Sequence, residues 1–167
     1  MLYEEIIQAL NKDRVDYLVA GGVAVVLHGV IRMTADLDLV LDLDTGNLKK
    51  FLSTIKTLGY RPRVPVSEKD ILDPKKRRQW IEEKNMIALS FYNPKNPILL
   101  LDVLIDQEGL PLRFEDMKQR SVKYKIGRLS VPLVAVDDMI VLKKAAGREQ
   151  DKADIEALMV IKEREEK

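Results

Sequence analysis

An α/β or α+β fold, a sheet with helices packed on it, is what this chain of 167 residues predicts, and three observations carry the reading. Short apolar runs of strand length alternate with stretches whose apolar residues recur at helical spacing. A glycine pair, Gly21-Gly22, interrupts the first strand, and a second strand sets Asp36 and Asp38 into an otherwise apolar run. The resulting order is helix, strand, helix, strand, helix, then mainly strands, then helices.

Leu2 to Leu10 places Leu2, Ile6, Ile7 and Leu10 on one helical face, and Asp16 to Ala20 follows as a short buried strand. Val23 to Leu27 reads as a helix that starts at the glycines and stops near Gly29. Thr34 to Leu41 is the second strand. Asp44 or Thr45 caps a helix through Leu58, ended by Gly59, with Leu48, Phe51, Leu52, Ile55 and Leu58 on its buried face. Tyr60 to Trp80 contains Pro62, Pro65, Pro74 and the basic run Lys75 to Arg78, and is read as a mobile excursion. Met86 to Tyr92 and Ile98 to Ile105 form a strand pair around the turn Asn93 to Pro97. Ser121 to Ile126 and Leu129 to Val131 make a small hairpin around Gly127. Val136 to Ala146 and Gln150 to Arg164 are two helices, the first opening at or near Asp137.

The length suits one domain over residues 1–167, with a core to about 132 and carboxy-terminal helices over about 136–164. With 28 Lys plus Arg against 27 Asp plus Glu, the net charge is +1. That balance excludes a global basic field, so any nucleic-acid contact must be a local patch. The absence of cysteine excludes disulfides, thiolate zinc sites and cysteine nucleophiles. Met1 to Leu10 carries Glu4 and Glu5 where a signal peptide needs a basic start, and no apolar run reaches membrane-spanning length, so a cytoplasmic protein without membrane association is expected.

The chemistry concentrates at Asp36 and Asp38. On a strand they face the same way, while Leu37, Leu39 and Leu41 face a core. Carboxylates about 6 to 7 Å apart by strand rise repel by roughly 2 to 3 kcal/mol at an effective dielectric near 20. A divalent cation turns that repulsion into ligation. Hard oxygen donors suit Mg2+ or Mn2+, and Mg2+ is commonly shared between one or two carboxylates and substrate phosphates, so a nucleoside triphosphate is the expected co-ligand. Asp42 and Asp44 are read as turn or cap residues. Gly21-Gly22 is either a plain strand-to-helix turn or a place where backbone N–H groups approach a phosphate.

Val19-Ala20-Gly21-Gly22 followed by Thr34-Ala35-Asp36-Leu37-Asp38-Leu39 resembles the signature of the polymerase-β-like nucleotidyltransferase superfamily. The wider string Leu27-His28-Gly29, Arg32, Thr34, Asp36 and Asp38 is similar to its small prokaryotic branch, the minimal nucleotidyltransferases and AbiEii-type toxins. The resemblance covers residues 16–42, reappears at Asp102 and returns over 136–158. It implies a nucleotidyltransferase fold, a mixed central sheet flanked by helices with a short helical carboxy terminus. It further implies Mg-dependent transfer of a nucleoside monophosphate from a triphosphate to a hydroxyl on RNA, protein or a small molecule, with a toxin–antitoxin system as one setting.

Under that resemblance Asp36, Asp38 and Asp102 are the catalytic metal ligands. Asp102 stands alone in the apolar run Leu99 to Ile105, where an unpaired carboxylate is costly to desolvate; the rival reading pairs it with a buried Arg. Gly21, Gly22, Arg32, Thr34, Lys143, Arg148 and Asp151 are assigned to the nucleotide. The string Lys143, Arg148, Asp151, Asp154 is similar to the last motif of the toxin-type proteins, yet Arg148 with Asp151 is equally an ordinary helix pair. His28 is expected to pack or hydrogen-bond locally. Lys75 to Arg78, near Trp80, is read either as a guide for RNA or as a solvated loop. Because the carboxy-terminal region is shorter than in the toxin-type proteins, a second subunit or a partner protein is a candidate source of the acceptor site. Two alternatives to catalysis are a weak or inactive module that binds a partner protein or RNA, and a pure RNA-binding domain.

Overall fold

The first helix, α1 (Glu4–Lys12), buries Ile6, Ile7 and Leu10 and leads into β1 (Tyr17–Ala20), all four of whose residues are buried. These elements come from a computed structural model that describes residues 2–167; Met1, where the stretch read against a signal peptide begins, lies outside them. Helix α2 (Gly21–Leu27) starts on the glycine pair as expected. Strand β2 (Leu37–Leu41) begins at Leu37 rather than Thr34. The reason is topological: Asp38 pairs with Ala20, the last residue of β1, and beyond it the neighbouring chain has turned into α2, so residues 34–36 have no ladder partner there.

Helix α3 (Thr45–Thr57) is capped by Asp44, whose carboxylate accepts from the N–H groups of Gly46 at 3.1 Å and Asn47 at 3.2 Å. Asp42 in turn accepts from the Asp44 N–H at 3.0 Å, so both acids serve the turn as read. Residues 60–84, expected to be a mobile excursion in their first part, are instead built. A short strand, β3 (Arg61–Pro62), precedes α4 (Glu68–Leu72) and α5 (Pro74–Lys84). Ser67 and Asp73 cap the two helices through Asp70 N–H at 3.1 Å and Lys75 N–H at 2.9 Å. Pro74 opens α5, where its missing N–H costs nothing. Ile71 and Trp80 are buried, and the Arg77 guanidinium donates to the Ile71 carbonyl at 2.7 Å.

Strands β4 (Ala88–Asn93) and β5 (Asn96–Leu104) form the expected pair. Helix α6 (Phe114–Arg120), which the sequence reading left out, buries Phe114 and Met117. The hairpin of β6 (Val122–Ile126) and β7 (Leu129–Leu133) precedes α7 (Val136–Ala146) and α8 (Glu149–Glu165).

The strands make one mixed sheet in the order β3-β4-β5-β2-β1-β7-β6. The β2–β5 and β1–β7 pairs are parallel and the others antiparallel. One face of β2, β4 and β5 is core: Leu37, Leu39, Leu41, Leu89, Phe91, Leu101 and Val103 are each 2% exposed or less. Burying such side chains contributes roughly 1.5 to 3 kcal/mol apiece. Phe91 meets Phe51 of α3 edge-on, with ring centroids 5.8 Å apart. The alternate residues of β4 and β5, at 88, 90, 92, 100, 102 and 104, are open to differing degrees, which is the pattern of a sheet covered on one side only. Among the described residues no helix is long and apolar enough to cross a membrane.

Candidate active site

Register places the chemistry. Asp38 on β2 stands directly beside Asp102 on the parallel neighbour β5, and Asp102 stands beside Ser90 on β4. Adjacent strands lie about 4.7 to 4.9 Å apart, so two carboxylates from separate segments share one row of the sheet. Asp36 precedes the strand but keeps its alternation: Arg32, Thr34, Asp36 and Asp38 are half-buried while Ile31, Met33 and Ala35 are exposed.

The glycine pair explains how Asp38 is seated. Gly21 has φ of 59°, the left-handed region that favours glycine, and a Cβ on it would lie 1.9 Å from Asp38 Oδ2. A Cβ on Gly22 would lie 2.5 Å from Thr34 Oγ1. The Gly22 N–H donates to the Asp38 carboxylate. The Gly22 donor is thus engaged by Asp38, and α2 is 7 residues long. Here the turn positions an acid.

Burial, and then the charges of Asp102 and Asp36, push the Asp38 carboxyl up to about 6, against opposing effects of Arg148 and the Gly22 N–H. Asp36 is also raised, by burial and then Asp102, while Arg63 opposes the shift. Ser90 Oγ donates to Asp102 Oδ1 at 2.5 Å. Among the described residues Asp102 has no ion-pair partner, so the rival reading of a buried Arg beside it does not hold.

A cleft of about 470 Å³ opens over this row. Gly21, Gly22, Arg32, Thr34, Asp36, Asp38, Asp102, Lys143 and Arg148 all line it, and Met33, Leu104, Leu110, Met139 and Leu142 supply apolar wall. Asp151 is the one sequence-proposed residue outside the lining: it is fully buried. Its place is behind the wall. Lys143, 5% exposed, lies 3.1 Å from Asp151 and 2.7 Å from Asp154. Arg148 pairs with Asp151 at 3.0 Å, and Asp151 also accepts from the Arg148 backbone N–H at 3.1 Å. Arg32 pairs with Asp154. Arg148 therefore makes the three-apart pair with Asp151 that is one of its two readings, and its charge also lowers the Asp38 carboxyl against burial. The network ties the last two helices to the segment that carries Asp36.

Sequence reasoning missed three groups. Ser90 and Arg63 became visible only through strand register. Tyr3 is buried with its hydroxyl unpartnered among the described residues, and burial, then Asp36, raise its pKa. His28 behaves as expected, its Nε2 lying 2.7 Å from the Val134 carbonyl. The run Lys75 to Arg78 is divided: Arg77 is buried, Arg78 pairs with Glu108 at 3.0 Å, and none of the four lines the cleft.

For a divalent cation the fit is that of a pair. Asp38 and Asp102 offer hard oxygen donors side by side, and the crowding that raises Asp38 is what a cation relieves. Among the described residues no three Asp, Glu, His or Cys side chains are gathered closely enough to hold an ion. The expected three-acid cluster is thus present as one pair plus Asp36 on the same cleft wall.

A mixed sheet that sets acids of two parallel strands beside a diglycine turn is the nucleotidyltransferase architecture, and solved structures agree. The chain is similar to the lincosamide antibiotic adenylyltransferase LnuA in its lincomycin-bound crystal structure, at 16% identity and a TM-score of 0.59, covering 93% of each chain. It is similar to the antibiotic-resistance factor ANT(2'')-Ia in solution, at 15% identity and TM-score 0.54, covering 96% of this chain and 80% of that one. It is also similar to an antigenic nucleotidyltransferase-like protein of Paracoccidioides brasiliensis, at 16% identity and TM-score 0.51, covering 93% and 71%. These likenesses establish the fold. The chain belongs to the family described as nucleotidyltransferase of unknown function (DUF6036), whose profile matches residues 1–165. Comparison with curated proteins gives no match.

Proposed function

We propose that the protein transfers a nucleoside monophosphate from a nucleoside triphosphate to a hydroxyl acceptor, using Asp36, Asp38 and Asp102. The observation that carries this reading is the in-register pairing of Asp38 with Asp102 in a cleft shared with the diglycine turn and Arg148. The acceptor oxygen attacks the α-phosphorus, the bond to the β-phosphate bridge breaks, and pyrophosphate leaves. Asp102, whose other neighbour is the Ser90 hydroxyl, is placed to take the acceptor's proton. Arg148 faces the acids without being buried and supplies positive charge to the departing pyrophosphate. Gly22 and Thr34 fix Asp38 and the approach segment; Lys143, Asp151 and Arg32 hold the wall. A divalent cation such as Mg2+ or Mn2+, held by Asp38 and Asp102 with Asp36 beside them, supplies Lewis-acid stabilisation of phosphate charge when bound.

A cytoplasmic location, in keeping with Glu4 and Glu5 near the start of the sequence, and a toxin–antitoxin setting, supported by the resemblance over residues 16–42, are part of the same reading. The test is labelling with each nucleoside triphosphate, Mg2+ and cell lysate, beside calorimetric nucleotide binding with and without Mg2+. Mg-dependent binding that disappears in Asp38→Asn is expected. Undiminished labelling by an Asp36→Asn, Asp38→Asn double variant overturns the mechanism.

A further inference from the structure

The row that holds the two acids does not stop at them. In antiparallel register Arg61 stands opposite Tyr92 and Pro62 opposite Phe91, and the Arg63 N–H donates to the Ser90 carbonyl at 2.9 Å. Reading across the strands, Arg63, Ser90, Asp102 and Asp38 occupy one level, and Arg61, Tyr92 and Leu100 the next. Opposed residues share a face, so these two levels lie on the open side of β3, β4 and β5, the side opposite Leu89, Phe91, Leu101 and Val103. Arg61 and Arg63 are both exposed. Among the described residues neither side chain has a hydrogen bond or an ion pair, although most cations nearer the cleft, Arg32, Lys143 and Arg148, are paired with carboxylates. Arg63 is close enough to Asp36 to oppose the rise in its pKa. The face therefore runs outward from the acids and ends in two unneutralised guanidinium groups, Arg63 beyond Ser90 on the acid row and Arg61 beside Tyr92 on the next.

We propose that this open face of β3–β5 is the acceptor surface, and that the acceptor is a single-stranded polynucleotide whose terminal hydroxyl is delivered to Asp102. The inference rests on the transferase reading and specifies its acceptor. Charge decides the class: a cationic acceptor would meet Arg61 and Arg63, whereas a phosphate backbone is neutralised by them and can place a base on Tyr92. Position favours a strand over a mononucleotide: β3 lies two strand spacings, about 10 Å, from the strand of Asp102, so a phosphate held by Arg61 and Arg63 belongs to a nucleotide upstream of the reacting hydroxyl. The chain's balanced charge is consistent with this, since two localised arginines give a patch without a global field.

The experiment uses the full chain and a fluorescein-labelled single-stranded oligoribonucleotide of mixed sequence, with binding followed by anisotropy from low to moderate salt. Two phosphates released from counterions in single strands change the slope of log affinity against log salt by about 1.4. Arg61→Ala with Arg63→Ala is expected to flatten the slope by that amount, and Arg61→Lys with Arg63→Lys to restore it. An unchanged slope in the alanine variant overturns the proposal. So does competition by free AMP as effective, per phosphate, as the unlabelled strand, or tighter binding of a polycationic amino-sugar than of the strand. Mg-dependent nucleotide binding is measured on the same wild-type sample. Its absence alongside an arginine-dependent strand slope removes the transferase reading and leaves the face as a nucleic-acid surface.

Discussion

Replacing Asp38 with Asn removes a charge from the most crowded point of the sheet, and the structure fixes how much that is worth to the metal-free protein. The carboxyl rises from its ordinary value of 3.8 to about 6 through burial and then the neighbouring charges of Asp102 and Asp36. That difference corresponds to about 3 kcal/mol. An acid held above its unfolded value binds its proton more tightly when folded. Its cost to stability is therefore absent below about pH 4, develops as pH rises to about 6, and stays constant above. Asn keeps an oxygen that can accept the Gly22 N–H, so the exchange removes charge with little loss of hydrogen bonding. Asp38→Asn is expected to melt roughly 6 to 12 °C above the wild type at pH 7 for a chain of this size. The gap should close as pH falls from about 6 to about 4. Thermal unfolding by circular dichroism in EDTA, across pH 4 to 8, measures it. A variant no more stable than wild type at pH 7, or a gap that does not depend on pH, refutes the account of Asp38 as a destabilised acid.

Gly21→Ala forces a Cβ to 1.9 Å from Asp38 Oδ2 at a φ of 59°; a loss of about 2 to 4 kcal/mol in denaturant unfolding is expected from left-handed strain plus overpacking, together with loss of nucleotide binding. Lys143→Met leaves Asp151 and Asp154 with one cation fewer in a buried network; because Arg148 and Arg32 still pair with them, a loss of about 1.5 to 3 kcal/mol is expected, and urea midpoints check it. Tyr3→Phe removes a buried hydroxyl with no partner among the described residues, so stability should hold or rise by about 1 kcal/mol, read from the same melts. Asp151 is held below its ordinary value because hydrogen bonds from Arg148 and Lys143 outweigh the opposing burial. Its stabilisation is thus present above about pH 4 and lost as pH falls further; Asp151→Asn should flatten that acid limb in urea titrations.

The parts of the site that sequence exposes are those with local rules. Gly21-Gly22 and the alternation of Asp36 with Asp38 can be read from neighbours one to three positions away, and the Asp44 cap and Asn93-to-Pro97 turn follow the same logic. Asp102 stands out because the resemblance implies a third acid and an acid in an apolar run has few inexpensive explanations. Ser90, Arg63 and Tyr3 carry no such mark; the first two join the acids only through strand order and register, and Tyr3 only through the packing of α1, which nothing local encodes. Tyr60 to Trp80 reads as an excursion in sequence because three prolines and a basic run give no period, whereas Pro74 starts a helix and the residues that anchor the region, Ile71 and Trp80, are too widely spaced to form an evident stripe. Helix α6, 7 residues long, is too short to show a helical period.

The close approach of Gly21 to the carboxylate beside it makes the two positions answerable to each other across generations. While the acid remains, a side chain at 21 meets both the carboxylate and a left-handed backbone; once the acid is exchanged for something smaller, the backbone strain alone is left. A relative that carries a side chain at 21 should therefore have lost the acid at 38 and reshaped the turn as well, so the two positions are expected to change together.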